Sequence, residues 1–189
     1  ELEMGKRYCA YVTTYSGLYR YNMNDLVEVG GNFYNTPTVH MVSKVNGIVS
    51  MTGEKLYEPQ FIDAVHKTEE LMDIKTKFFV GFADVRESRY HFYYEFVDEK
   101  IDQETAEEFT KVVDRKLQEI NNEYESKRAS FRLKAPQAHI LLSNAYSRFK
   151  TACLRDGLRD GQFKFNLLMQ DDKRRRKFDQ IERRETLSD

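Results

Sequence analysis

Two cysteines in 189 residues leave no room for a disulfide framework, and the lack of a CxxC pair or Cys/His cluster argues against a structural zinc site. Cys9 and Cys153 are expected to be free thiols. No stretch approaches the ~20 consecutive apolar residues of a membrane helix, and the opening Glu1-Leu2-Glu3-Met4-Gly5-Lys6 holds no apolar signal-peptide core. The cytoplasm is therefore the expected compartment, with no membrane partner. Neither sign of charge is in surplus: 30 Lys+Arg stand against 31 Asp+Glu, a formal net charge of -1. No global field draws such a chain to nucleic acid. The four histidines, His40, His66, His91 and His139, are scattered without metal-ligand spacing. The chain does not begin with Met and opens directly into strand-like sequence, as expected of a piece of something longer.

What is present is a globular balance: 40% hydrophobic, 13% aromatic and 32% charged residues can bury a core beneath a heavily charged surface. Residues 8–14, 25–29 and 39–42 read as short strands, with turns at Gly17, at Gly30-Gly31 and at Asn35-Thr36-Pro37. Near residues 44–53 the character changes. Pro59 can open a helix carrying Phe61, Ile62, Val65 and Met72. Residues 76–82 and 90–97 form an expected antiparallel pair, the second with Tyr90, Phe92, Tyr94 and Phe96 on one aromatic face. Asp102 can cap a helix whose Phe109, Val112, Val113, Leu117 and Ile120 would cover that face. After a polar link over residues 121–132 come a strand at 138–142, a helix that Ser143 can cap, a strand-like run at 162–169, and an exposed charged helix over 171–184. Within that helix the basic block 173–177 is flanked by acids and reads as a solvated face.

Three runs carry chemistry. The first is Thr13-Thr14-Tyr15-Ser16-Gly17-Leu18-Tyr19-Arg20-Tyr21-Asn22-Met23-Asn24-Asp25. The second is Val42-Ser43-Lys44-Val45-Asn46-Gly47, followed by Thr52-Gly53-Glu54-Lys55-Leu56-Tyr57-Glu58. The third is Gly161-Gln162-Phe163-Lys164. Together, and in this order, they resemble the Gretchen Hagen (auxin-responsive promoter) family of acyl-acid amido synthetases, within the adenylate-forming enzymes. Asn22-Met23-Asn24 departs from that family, which has Arg, an aliphatic residue and Gly before the Asp.

The resemblance implies an α+β fold. A β-rich remnant of a large adenylating domain (residues 1–46) would precede a mobile lid domain (47–189) with a small mixed sheet flanked by helices and a charged tail from about residue 170. It implies ATP and Mg²⁺, with most phosphate and metal contacts in a missing N-terminal large domain. A small carboxylic acid and an amine acceptor such as an amino acid would be the other partners. Asp25 would accept hydrogen bonds from the ribose hydroxyls, since one carboxylate can accept from two vicinal donors, with Tyr19 and Arg20 beside the nucleotide. Lys44, Gly47 and Gly53 would form the hinge, and Lys164 would be the catalytic lysine. Glu54 and Lys55 read as solvated charges. The chain alone, lacking a phosphate loop, is expected to be inactive; a noncatalytic α+β interaction module derived from this fold is the alternative.

Overall fold

The computed structural model describes residues 2–44, 47–156 and 165–182. The chain divides into two compact units, Glu1–Ile48 and Val49–Asp189.

The first unit is an antiparallel sheet of β1 (Arg7–Val12), β2 (Tyr21–Phe33) and β3 (Thr36–Lys44), in that order. Register runs Cys9 to Leu26 and Val29 to Val39. The Gly30-Gly31 pair is not a turn as expected but lies inside β2, where the register with β3 shifts between Val29 and Gly31. A side chain at Gly30 would meet His40 Nδ1 at 3.1 Å, so glycine permits the close approach at the bulge. The true hairpin turn is Tyr34-Asn35, with Tyr34 at φ 53°. Val29 is the sole buried hydrophobic among the described residues of this unit, while Tyr11, Tyr21, Phe33 and Met41 are exposed.

The short β4 (Ile48–Val49) lies at the division, and the second unit continues with β5 (Leu56–Tyr57) and α1 (Glu58–Met72). There follow β6 (Thr76–Asp84), β7 (Arg89–Phe96), α2 (Gln103–Ile120), α3 (Asn122–Ala129), β8 (Gln137–Ile140), α4 (Ala145–Arg155), β9 (Leu168–Met169) and α5 (Asp172–Asp179). The sheet is mixed, in the order β8-β7-β6-β9: β6 and β7 are antiparallel, while β8 joins β7 and β9 joins β6 in parallel. Consecutive parallel neighbours need a long crossover, which α2 with α3 supply between β7 and β8. The fold is α+β, a small mixed sheet flanked by helices.

One face of this sheet matches the aromatic pattern. Tyr90, Phe92, Tyr94 and Phe96 are buried with Phe61 and Val65 of α1 and with Phe109, Val113 and Leu117 of α2. Asp102 caps α2, its carboxylate accepting from Thr105 N at 2.8 Å. The opposite face is also buried, which period-two alternation in β7 alone did not reveal. Tyr93, Val80 and Phe82 pack with Phe149 and Cys153 of α4 and with Phe178 of α5. The Phe149 and Phe178 rings stack with centroids 4.4 Å apart.

Four local expectations change. The polar link over 121–132 contains a helix, α3, because the Asn121 side chain caps it (Tyr124 N, 2.9 Å) and Tyr124 buries its ring while donating to Asp114 at 2.7 Å. Helix α4 is capped not by Ser143 but from the sheet, since the Glu95 carboxylate accepts from Asn144 N and Ala145 N, both at 2.9 Å. The expected strand at 162–169 is β9 alone among the described residues. Finally, α5 is not a purely solvated face. Arg175 pairs with Asp84 at 2.9 Å, Lys177 reaches Asp156, and Phe178 and Ile181 are buried, because three-to-four spacing turns one side of the charged segment inward.

Candidate functional site

In the first unit the loop between β1 and β2 is organised around hydroxyls. Thr14 N donates to Leu18 O at 2.9 Å, Thr14 Oγ1 lies 2.8 Å from Ser16 Oγ, and Arg20 N donates to Thr13 Oγ1 at 3.1 Å. Gly17 (φ 104°) and Arg20 (φ 45°) take the left-handed backbone that closes the loop. Asn24 continues in the extended strand β2. Tyr19 is 80% exposed at the loop tip. Asp25 is half-buried on β2, in register with Lys44 at the end of β3. The sequence-predicted Tyr19, Arg20 and Asp25 thus lie on one loop and the strand it feeds. The only group of three or more His, Cys, Asp or Glu side chains close enough to share an ion, among the described residues, is in the second unit and excludes Asp25.

The residues read as hinge flank the division of the chain: Lys44 ends β3, Gly47 precedes it and Gly53 follows. Gly53 has φ 100°, a conformation that favours glycine, and Lys55 also has positive φ. Between them Glu54 overturns its reading as a solvated charge. It is 0% exposed. Its Oε1 accepts from Met51 N at 3.0 Å and from the Tyr90 hydroxyl at 2.6 Å; its Oε2 accepts from Thr52 N at 2.8 Å and Thr52 Oγ1 at 3.0 Å. Burial works against the charge, but these donors, Tyr90 first, outweigh it and hold the carboxyl below its usual 4.5. From the other side the Asn121 amide donates to Glu54 O, Lys55 O and Gln60 Oε1. Residues 51–57 are thereby tied to β7 and to the α2–α3 junction. A Thr-x-Glu spacing was the sole local signal for this clasp; Tyr90, 36 positions away, left none.

Lys164, with Gln162 and Phe163, lies outside the described residues. Its flanks do not. On the preceding side Phe149 and Cys153 bury α4. On the following side Phe165 packs against Phe78, Phe149 and Tyr146, with centroids 5.4–5.7 Å apart. Leu167 N donates to the Glu58 carboxylate at 3.1 Å, and Gly81 N donates to Leu167 O at 2.7 Å. Burial, only partly offset by the Leu168 and Leu167 amides, raises the Glu58 carboxyl above its usual value. Glycine at 81 leaves room for its neighbours: an added Cβ would crowd Leu168 Cδ1 at 3.0 Å and Phe61 Cε1 at 3.2 Å.

Residues 1–44 match the GH3 family central domain and residues 59–173 the GH3 family C-terminal domain. The chain belongs to the GH3 family. A probable indole-3-acetic acid-amido synthetase of Oryza sativa subsp. japonica, GH3.7, is 34% identical over 70 residues, which is 37% of this chain and 11% of the relative. The indole-3-acetic acid-amido synthetase GH3.10 of Arabidopsis thaliana is 29% identical over 113 residues, 57% of this chain and 19% of the relative. Among solved structures, the GH3.15 acyl acid amido synthetase superposes with a TM-score of 0.76 at 21% identity, covering 97% of this chain and 34% of that one. A 2-hydroxyisobutyryl-CoA ligase in its postadenylation state, in complex with 2-HIB-AMP, superposes at 0.53 and 13% identity, covering 95% and 35%. These last two likenesses concern the fold. The GH3 chain spans about a third of each of these two solved structures.

Proposed function

We propose that this GH3 chain is the C-terminal part of an ATP-dependent ligase that activates a carboxylic acid as an acyl-adenylate and passes the acyl group to an amine acceptor such as an amino acid. The observation that supports it best is the order of the two family matches, central domain then C-terminal domain, on one chain. In this reading an oxygen of the acid's carboxylate attacks the α-phosphorus of ATP and pyrophosphate leaves. The amine then attacks the acyl carbon and AMP leaves. Asp25 accepts from the ribose hydroxyls, and the exposed Tyr19 ring and Arg20 border the nucleotide. Lys164 offsets negative charge as the acyl-phosphate bond forms. Bound Mg²⁺ would neutralise phosphate charge, through ligands that a large N-terminal domain supplies. Rotation about Lys44, Gly47 and Gly53 brings Lys164 in for adenylation and withdraws it for transfer. The enzyme acts in the cytoplasm, and residues 1–189 alone are inactive.

The test uses the full-length protein and a panel of carboxylic acids. ATP–pyrophosphate exchange should depend on one class of acid. Lys164→Ala should slow adenylate formation by about a hundredfold or more, the scale of one oriented electrostatic donor, while transfer from supplied acyl-adenylate survives. Asp25→Ala should weaken nucleotide and adenylate binding together, by roughly 1.5–3 kcal/mol for a charge-assisted hydrogen bond. Exchange with no acid in the panel, or exchange indifferent to Lys164→Ala, would favour the noncatalytic module, to which the Asn22-Met23-Asn24 departure also points.

A further inference from the structure

The turn joining β6 and β7 gathers three side chains that no step of the proposed reaction uses. Asp84, Glu87 and His91 each offer one ligand atom, and the three atoms lie within 4.8 Å of one another. Asp84 is fixed by the turn itself, its Oδ1 accepting from Arg86 N at 2.9 Å and Glu87 N at 3.1 Å. His91 is 4% exposed, and its Nε2 has no hydrogen-bond partner. Glu87 Oε2 stands 3.8 Å from that nitrogen.

The proton pattern behind His91 decides what its Nε2 is. The Glu182 carboxylate lies 2.6 Å from His139 Nδ1, so that nitrogen donates. With both rings neutral, His139 Nε2, 2.9 Å from His91 Nδ1, accepts a hydrogen bond from it. Neutral His91 is left with a bare lone pair on Nε2. A buried lone pair thus faces two carboxylates, an arrangement that a cation resolves and that hydrogen bonding among the three cannot. Two guanidiniums offset part of the charge: Arg175 contacts Asp84 at 2.9 Å and Arg89 Nε lies 3.3 Å from Glu87. Neither gives His91 Nε2 a partner.

We propose that Asp84, Glu87 and His91 bind a divalent transition-metal ion, for which one imidazole and two carboxylates form a zinc-type ligand set. The His91–His139–Glu182 relay is the outer shell such a histidine needs, since a carboxylate at its far end sets the tautomer and orients the ring. Asp84 also lines a cleft with Arg86, Gln170 and Asp171. The site is in the second unit and does not depend on the amido synthetase reading.

The experiment is calorimetric titration of the 189-residue chain with Zn²⁺ at pH 7.5, in a Cys9→Ser background because Cys9 is an exposed thiol. One ion per chain should bind, and Co²⁺ should bind in its place with a visible absorption band. Glu87→Gln and His91→Gln should each weaken binding at least tenfold, and His139→Gln by about 10–100-fold as an outer-shell change. His66→Gln, remote on α1, should leave binding unchanged. Circular dichroism melts establish that each variant folds; should His91→Gln fail to fold, the exposed turn residue Glu87 decides. Absence of stoichiometric binding in the Cys9→Ser chain, or binding that Glu87→Gln leaves intact, overturns the proposal.

Discussion

Replacing Glu54 tests whether residues 51–57 are held by one buried carboxylate. Four donors converge on its two oxygens: the Met51 and Thr52 amides and the Tyr90 and Thr52 hydroxyls. Glu54→Ala orphans the two amides and the Tyr90 hydroxyl together. At 1–3 kcal/mol for each buried donor left unsatisfied, with some relief from entering water, the cost is about 3–5 kcal/mol. Glu54→Gln keeps the shape but points an NH₂ at two donors. A hydroxyl can turn and accept from it, whereas an amide N–H cannot, so about one amide is lost, at about 1–3 kcal/mol. Tyr90→Phe removes one hydrogen bond to a charged acceptor and orphans no donor, costing about 2 kcal/mol. The expected order is therefore Ala worst, with Gln and Phe milder. Urea denaturation followed by far-UV circular dichroism, at unchanged m-value, measures it; thermally, the Ala variant should melt about 10 °C lower. Because the folded carboxyl titrates below its usual 4.5, its contribution is present above that value and is lost as the pH falls through the folded pKa. The gap between wild type and Glu54→Gln should thus narrow in acid. A Glu54→Ala penalty under 1 kcal/mol, or a gap that widens on acidification, would refute the reasoning.

Gly81→Ala drives a methyl to 3.0 Å from Leu168 and 3.2 Å from Phe61, so it should cost about 1–3 kcal/mol as overpacking and deprotect the Leu167–Met169 amides in hydrogen exchange ahead of those of β7. The buried His91 is held down at about 4, by desolvation first, with the nearby Arg175 guanidinium adding to it. The unfolded chain therefore binds the extra proton between about 6.5 and 4. Stability should be full above 6.5 and should fall on acidification through that window by about 2 kcal/mol, after allowance for screening by Asp84, Glu87 and Arg89. Measured in EDTA, His91→Gln should flatten this slope, and an unchanged slope would count against the assignment.

Much of the second unit was legible in the sequence, because its signals are local. Pro59 and the apolar stripe mark α1, Asp102 marks the start of α2, and the alternation of Tyr90, Phe92, Tyr94 and Phe96 marks the covered face of β7. Each depends on residues within one or two turns of one another. The three motifs were equally local, and their order alone pointed to the family that residues 1–44 and 59–173 match. Tertiary structure decided the rest. That the sheet is buried on both faces depends on α4 and α5 returning to it, with Phe178 arriving from a segment whose composition is almost wholly charged. Glu54 reads as surface until Tyr90 and Asn121 close on it from positions 36 and 67 residues away. His91 and His139 are scattered histidines until β8 lies parallel to β7 and sets them 2.9 Å apart. Periodicity and capping report the energetics of a few neighbouring residues. A buried charge, a shared proton and a two-sided sheet are stabilised by partners that only the folded chain brings within reach.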